Sequence, residues 1–416
     1  MTTLPMAGDT TRPSPSTPFA DVRPVLVVAG TALVAAAGWS VAADHLPGGR
    51  WVVVHLFTLG VLTPLVLGFS QHFSRTLTRS PEPAAALAVP TALGATAVLV
   101  GLVSGWTWLL GAGGTVLTVL VLQAYRRLRR MRTAAVGARF AWIVRAYERA
   151  HGAFVHGALL GILMGVGVLS GPWYAAARVA HLHVNVLGWG GVTLLATVVF
   201  FGPSMVRARI ADGAEERAFT AIRRGTTGLS AATVLLLATG IGGGAGTAAR
   251  LLAAVGLAVL AWAVTVVCRP VAVVALTARR SATWGLVAGA GMWCPLAAWA
   301  DVAVVATGRW ELLTAIGVTA LVGVLAQSVL ATVLHVGPLL RDRPVRLAVV
   351  ARLERWAVSR AVAWNVGTTA VAAAASGALD GAAGSAVVRG GFALLGVVVL
   401  QTATSIAGPV RDAGPR

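Results

Sequence analysis

The chain has 416 residues, of which 57% are hydrophobic and only 11% charged, and its mean hydropathy is +0.81. A soluble protein of this length carries about twice that charged fraction, so composition excludes a water-soluble fold and points to an all-α polytopic membrane protein. All 33 basic residues are arginine, against 14 acidic ones, for a formal net charge of +19. These arginines lie in short connections between apolar runs, where they act as topology signals, so no nucleic-acid partner is expected.

Residues 1–22 are rich in Pro, Ser and Thr and are expected to be disordered and cytoplasmic. The apolar run that follows is too long for a signal-peptide core and reads as an uncleaved first span. Apolar windows recur at about 24–44, 51–73, 84–104, 106–125, 150–171, 179–204, 226–246, 249–268, 282–306, 311–337, 358–378 and 387–408. Each approaches the ~20 residues that a membrane helix needs. The expectation is therefore one transmembrane domain of twelve helices over 23–409, with a cytoplasmic tail at 410–416.

The connections alternate. Arg75 and Arg79, the cluster at 126–132, Arg207 to Arg224, Arg279 and Arg280, and Arg341 to Arg355 fall on one side. The opposite connections hold at most one arginine each, so both termini are expected to be cytoplasmic, with the protein in the plasma membrane. Cys268 and Cys294 lie in or beside apolar segments and lack zinc or CxxC spacing.

Seven of the eight histidines lie in or at the ends of four spans, where an imidazole is costly and marks a functional site by default. Orientation sorts them into two depths. His55, His181 and His183 fall in the outer leaflet, and His72, His151, His156 and His335 lie toward the inner face. These positions suit metal ligation by neutral imidazole, or interfacial rings satisfied by water and carbonyls. His181 and His183 are two residues apart, about 200° around a helix, so the rings face different neighbours. Asn185, one turn after His181, is placed to fix that ring's tautomer.

Asp301 is the clearest intramembrane carboxylate, either a partner to a ligating histidine or a cap on a helix end unwound after Pro295. Arg50 and Arg178 lie just before His55 and His181, where they can bind a haem's propionates or simply anchor the interface. Among the inner histidines, His151 and His156 diverge by about 140°. At most one of them can join His72 or His335 in a second site, and depth favours His156. Gly157, Gly161 and Gly165 read as a helix-packing ridge. The glycine-rich run at 240–246 lacks the Lys-Ser/Thr of a phosphate loop.

His181-Leu-His183 followed by Leu187-Gly188-Trp189 resembles the H-x-H…LGW element of haem–copper oxidases and nitric oxide reductases. The stretches RWVVVHLFTLG…GFSQHFSR and AHLHVNVLGWGGVTLLATVVFFGP are similar to NnrS-type proteins and to the membrane domain fused to actinobacterial copper nitrite reductases. The resemblance implies a haem b with His55 and His183 as axial ligands, while His181 faces a second site, with copper as a further possible metal. It also implies electron passage from quinol to an external cupredoxin or cytochrome, in nitric oxide, nitrite or copper metabolism. It does not extend to the oxidases' copper-ligand motifs, because spans 7 and 8 hold no histidine. Twelve spans with short loops also suit a secondary transporter, and the same histidines suit a non-catalytic assembly or sensing subunit.

Overall fold

The structure, a computed structural model, describes residues 22–42, 45–82, 87–135, 140–278, 281–379 and 381–408. The N-terminal segment expected to be disordered (save Val22), the tail at 410–416 and the loop arginines Arg279 and Arg280 lie outside the described residues.

The described residues form thirteen helices and no strands. They are α1 Arg23–Val41, α2 Gly49–Thr78, α3 Ala88–Ser104, α4 Thr107–Thr133, α5 Ala141–Gly165, α6 Gly171–Met205 and α7 Ala214–Ala238. Then follow α8 Gly243–Ala278, α9 Trp284–Thr307, α10 Trp310–Leu340, α11 Arg343–Arg355, α12 Ala357–Ala375 and α13 Gly381–Ala407. Twelve of these coincide with the twelve apolar windows, and eight are long and apolar enough to cross a membrane by length and composition. The protein is an all-α polytopic membrane protein. The extra helix, α11, is short and arginine-rich. Valine and leucine side chains such as Val34, Val234, Val255 and Leu400 stand exposed around the bundle, as lipid-facing surfaces require.

One four-helix plan occurs three times: α1–α4, α5–α8, and α9, α10, α12 and α13. The second helix of each unit opens on Gly49-Arg50-Trp51, Gly171-Pro172-Trp173 or Gly308-Arg309-Trp310. It then loosens into π-helix at Leu56–Leu62, Val184–Gly191 or Thr319–Ala326. π-helix is rare and is usually confined to single turns, so its recurrence at one place in each unit marks a built feature. The spacing H-x3-L-G, seen at His55–Gly60 and His183–Gly188, continues as Val318–Gly323, and the π segment begins just after the first residue each time.

The glycine that ends this spacing lets the π segment lie against the first helix of its own unit. A Cβ on Gly60 meets Ala32 at 2.7 Å, one on Gly188 meets Ala153 at 2.7 Å, and one on Gly323 meets Trp293 at 3.1 Å. The third and fourth helices of each unit cross at reciprocal glycine pairs, Gly94 with Gly113, Gly228 with Gly256, and Gly367 with Gly391. In each pair an added Cβ runs into the partner's carbonyl oxygen. Apolar burial drives no helix association inside lipid, so close backbone approach at small residues takes its place.

Helix α9 stays continuous through Pro295, which removes the expectation that Asp301 caps an unwound end. Its C-terminus is closed by Gly308 at φ 74° and by Arg250, which donates to the carbonyls of Val305 and Ala306 at 3.0 and 2.6 Å. A guanidinium there satisfies orphan carbonyls and complements the negative end of the helix.

Candidate functional site

The H-x-H element sits in the last turn of α-helix before the π segment of α6, and its two rings do face different neighbours. His181 turns to α5. Its Nδ1 lies 2.8 Å from the Gly157 carbonyl, and its Cε1 occupies the space over Gly161, where an added Cβ would approach to 2.9 Å. The glycine ridge of α5 is therefore more than packing. Gly157 receives Asn185, Gly161 receives His181, and Gly165 receives Leu110 of α4. The His181 tautomer is set by the Gly157 carbonyl. Asn185 Nδ2 stands 3.3 Å from the same ring nitrogen and donates instead to the His181 backbone carbonyl at 2.8 Å.

His55 directly precedes the π segment of α2, the place that His183 holds in α6. Its Nδ1 lies 2.9 Å from the Trp51 carbonyl, and its ring stacks on Trp51 with centroids 3.4 Å apart. The charge of His181 reaches His55. Their backbone bonds place the proton on Nδ1, because a carbonyl only accepts, and leave a lone pair on Nε2. Neither Nε2 has a hydrogen-bond partner among the described residues, and neither is sealed from access.

His183 is 2% exposed and has neither nitrogen free. Nδ1 lies 2.8 Å from the Val179 carbonyl, and Nε2 lies 3.1 Å from Oδ1 of Asp301 on α9, itself 3% exposed. The carbonyl takes the Nδ1 proton, so the proton between Nε2 and Oδ1 belongs either to an imidazolium or to a carboxylic acid. Asp301 Oδ2 has no hydrogen-bond partner among the described residues. The pair borders an apolar cavity of about 60 Å³ between α6, α8, α9 and α10, with Cys294, Leu260, Ile316 and Leu325 among its walls.

The resemblance pairs His55 with His183; here both His183 nitrogens are hydrogen-bonded, Nε2 to Asp301, and His181 is the histidine whose charge reaches His55. Among the described residues no group of three or more His, Cys, Asp or Glu side chains could hold a metal ion. Arg50 and Arg178, five and three residues before His55 and His181, are exposed and without a side-chain partner among the described residues.

The inner histidines do not assemble. His156, expected to be the deeper ligand, is exposed, whereas His151 is fully buried. His151 bonds the Tyr147 carbonyl at 2.7 Å and sets its ring edge-on to Trp189 at 4.9 Å. The buried stripe Ile143, Tyr147, Ala150, Phe154 and Gly157 explains the reversal, since His151 falls on that face and His156 about 140° away. His72 meets Phe73 with ring centroids 5.7 Å apart, Phe73 is centred 5.4 Å from Phe201, and His335 stands edge-on to Phe201 at 4.9 Å.

Trp189 and Thr193 went unmarked as polar sites in the sequence. With His151 they leave three buried polar atoms unsatisfied, His151 Nε2, Trp189 Nε1 and Thr193 Oγ1. The signal for the trio was present in the same stripe, which turns His151 inward toward the LGW tryptophan.

No protein-family model matches the chain, and no curated protein matches it.

Proposed function

We propose that this protein is an integral membrane redox protein in which the Nε2 atoms of His55 and His181 would hold a haem b. One observation supports this reading above the rest. Two histidines on neighbouring helices each give Nδ1–H to a backbone carbonyl and keep Nε2 bare, the state in which imidazole ligates metal with its second nitrogen anchored. Arg50 and Arg178 stand at the start of the same two helices, where guanidinium can take a propionate bidentately. When bound, the haem supplies one-electron chemistry, and bis-imidazole ligation suits electron transfer. The resemblance adds quinol as donor and an external cupredoxin or cytochrome as acceptor, in nitric oxide, nitrite or copper metabolism. Copper on the same imidazoles is the competing metal.

The arginine bias supports a plasma-membrane orientation with both termini cytoplasmic. Single cysteines introduced at Gly48 and Ala175 are then labelled from outside, and one at Ala135 is not. The cofactor is tested by a reduced-minus-oxidised absorption spectrum with iron and copper analysis of the purified protein. Expected are one haem b per chain and its loss in His55→Ala. Protein free of both metals would end the proposal.

A second reading rests on a different observation, the His183–Asp301 pair beside an internal cavity. A buried carboxylate and imidazole sharing one proton suit a proton-coupled transporter. Proton flux in liposomes that is lost in Asp301→Asn, in protein without haem, would favour it.

A further inference from the structure

Helices α5 and α7 carry a second concave site, at the end away from the H-x-H element. Arg145 and Arg149, one turn apart on α5, meet Arg223 of α7 around a cavity of about 150 Å³. Trp142 and Phe219 form one wall, their rings 5.9 Å apart, and Ile222 lines it as well. The guanidinium of Arg149 is pinned by donating to Thr226 Oγ1 at 3.0 Å and lies within reach of the charges of both other arginines. Glu148, whose charge also reaches Arg149, is bonded to Arg132 at 2.7 Å, and no carboxylate among the described residues bonds the three. Like charges gathered around a hollow repel one another unless an anion enters it.

Depth narrows the anion. Arg149 lies 16 residues before Gly165 at the far end of α5, and Arg223 lies 15 before Ala238 at the far end of α7, about 24 and 22 Å of helix. With a hydrocarbon core about 30 Å thick, the guanidinium groups reach headgroup level. Guanidinium binds carboxylate and phosphate bidentately, and at headgroup level the anion at hand is a phospholipid phosphate. A wall of Trp, Phe and Ile beside it suits an acyl chain and contributes nothing to a free ion.

We propose that Arg145, Arg149 and Arg223, walled by Trp142 and Phe219, bind the phosphate of an anionic membrane phospholipid. The site is independent of any haem.

The test is native mass spectrometry of the full-length protein in neutral detergent, titrated with phosphatidylglycerol, phosphatidylcholine or inorganic phosphate. At ~1 kcal/mol per basic residue, affinity for phosphatidylglycerol should fall roughly fivefold in Arg223→Gln and roughly a hundredfold in the triple variant Arg145→Gln, Arg149→Gln, Arg223→Gln. The single variant removes an exposed side chain without a hydrogen-bond partner among the described residues, so it keeps the test open if the triple variant does not fold. Arg126→Gln with Arg129→Gln, in the exposed cluster at 126–132, should leave affinity unchanged. Equal loss in that control, or equal binding of phosphatidylcholine, overturns the site. Displacement of phosphatidylglycerol by equimolar inorganic phosphate overturns the assignment to lipid and makes the cavity a free-anion site.

Discussion

His181 and His183 are neighbours in sequence, yet they occupy opposite kinds of surroundings. The His181 side is built from backbone: a carbonyl fixes one nitrogen, glycines make room, and the other nitrogen has no hydrogen-bond partner among the described residues. The His183 side is built from a side chain, Asp301, which closes the ring into a buried pair at 3.1 Å. The difference teaches that ligand capacity in such an element is read from what the second nitrogen meets. Position within the motif does not decide it.

The comparison can be broken first at the closed side. Removing one member of a buried, bonded charge pair leaves the other uncompensated, so Asp301→Ala should lower stability by about 3–5 kcal/mol. Replacing both members with Leu should recover most of that loss, as a thermal or denaturant series in detergent would read. Single and double variants of equal stability would show that the pair contributes nothing.

The open side is sharpened by its glycines. Gly161→Ala pushes a methyl against His181 Cε1 and should cost about 1–3 kcal/mol through overpacking. It should also shift the haem spectrum, whereas Gly152→Ala, where nothing lies within 4 Å of the new methyl, should do neither. A spectrum indifferent to Gly161→Ala would detach His181 from the cofactor.

The smallest effect belongs to His156. It is exposed, so His156→Ala should change stability by no more than about 0.5 kcal/mol and leave the spectrum untouched. A lost haem band in that variant would restore an inner-leaflet site.

Much of the fold was legible in the sequence because its signals are local. Apolar windows and arginine connections marked the helices, and the two-residue spacing of His181 and His183 placed the rings on different sides. What escaped depends on pairs far apart in the chain. Asp301 lies 118 residues from His183, and no periodicity says which carboxylate reaches which ring. The third copy of the four-helix plan was hidden because Val318 stands where the other units have histidine, and only the π segment and glycine contacts reveal it. That His151 is buried and His156 exposed escaped for another reason. Helix rise gives depth along the axis, but burial depends on which side of α5 a residue falls, and the apolar stripe of Ile143, Tyr147 and Phe154 carried that information.

The central claim, that the open imidazole of His181 is the ligand and the closed one of His183 is not, is tested by electron paramagnetic resonance of the oxidised protein. His181→Ala should abolish the low-spin bis-imidazole signal, and His183→Ala should retain it at wild-type position and intensity per folded chain. A signal lost in His183→Ala and kept in His181→Ala would contradict the account and return the axial role to the residue that the resemblance implied.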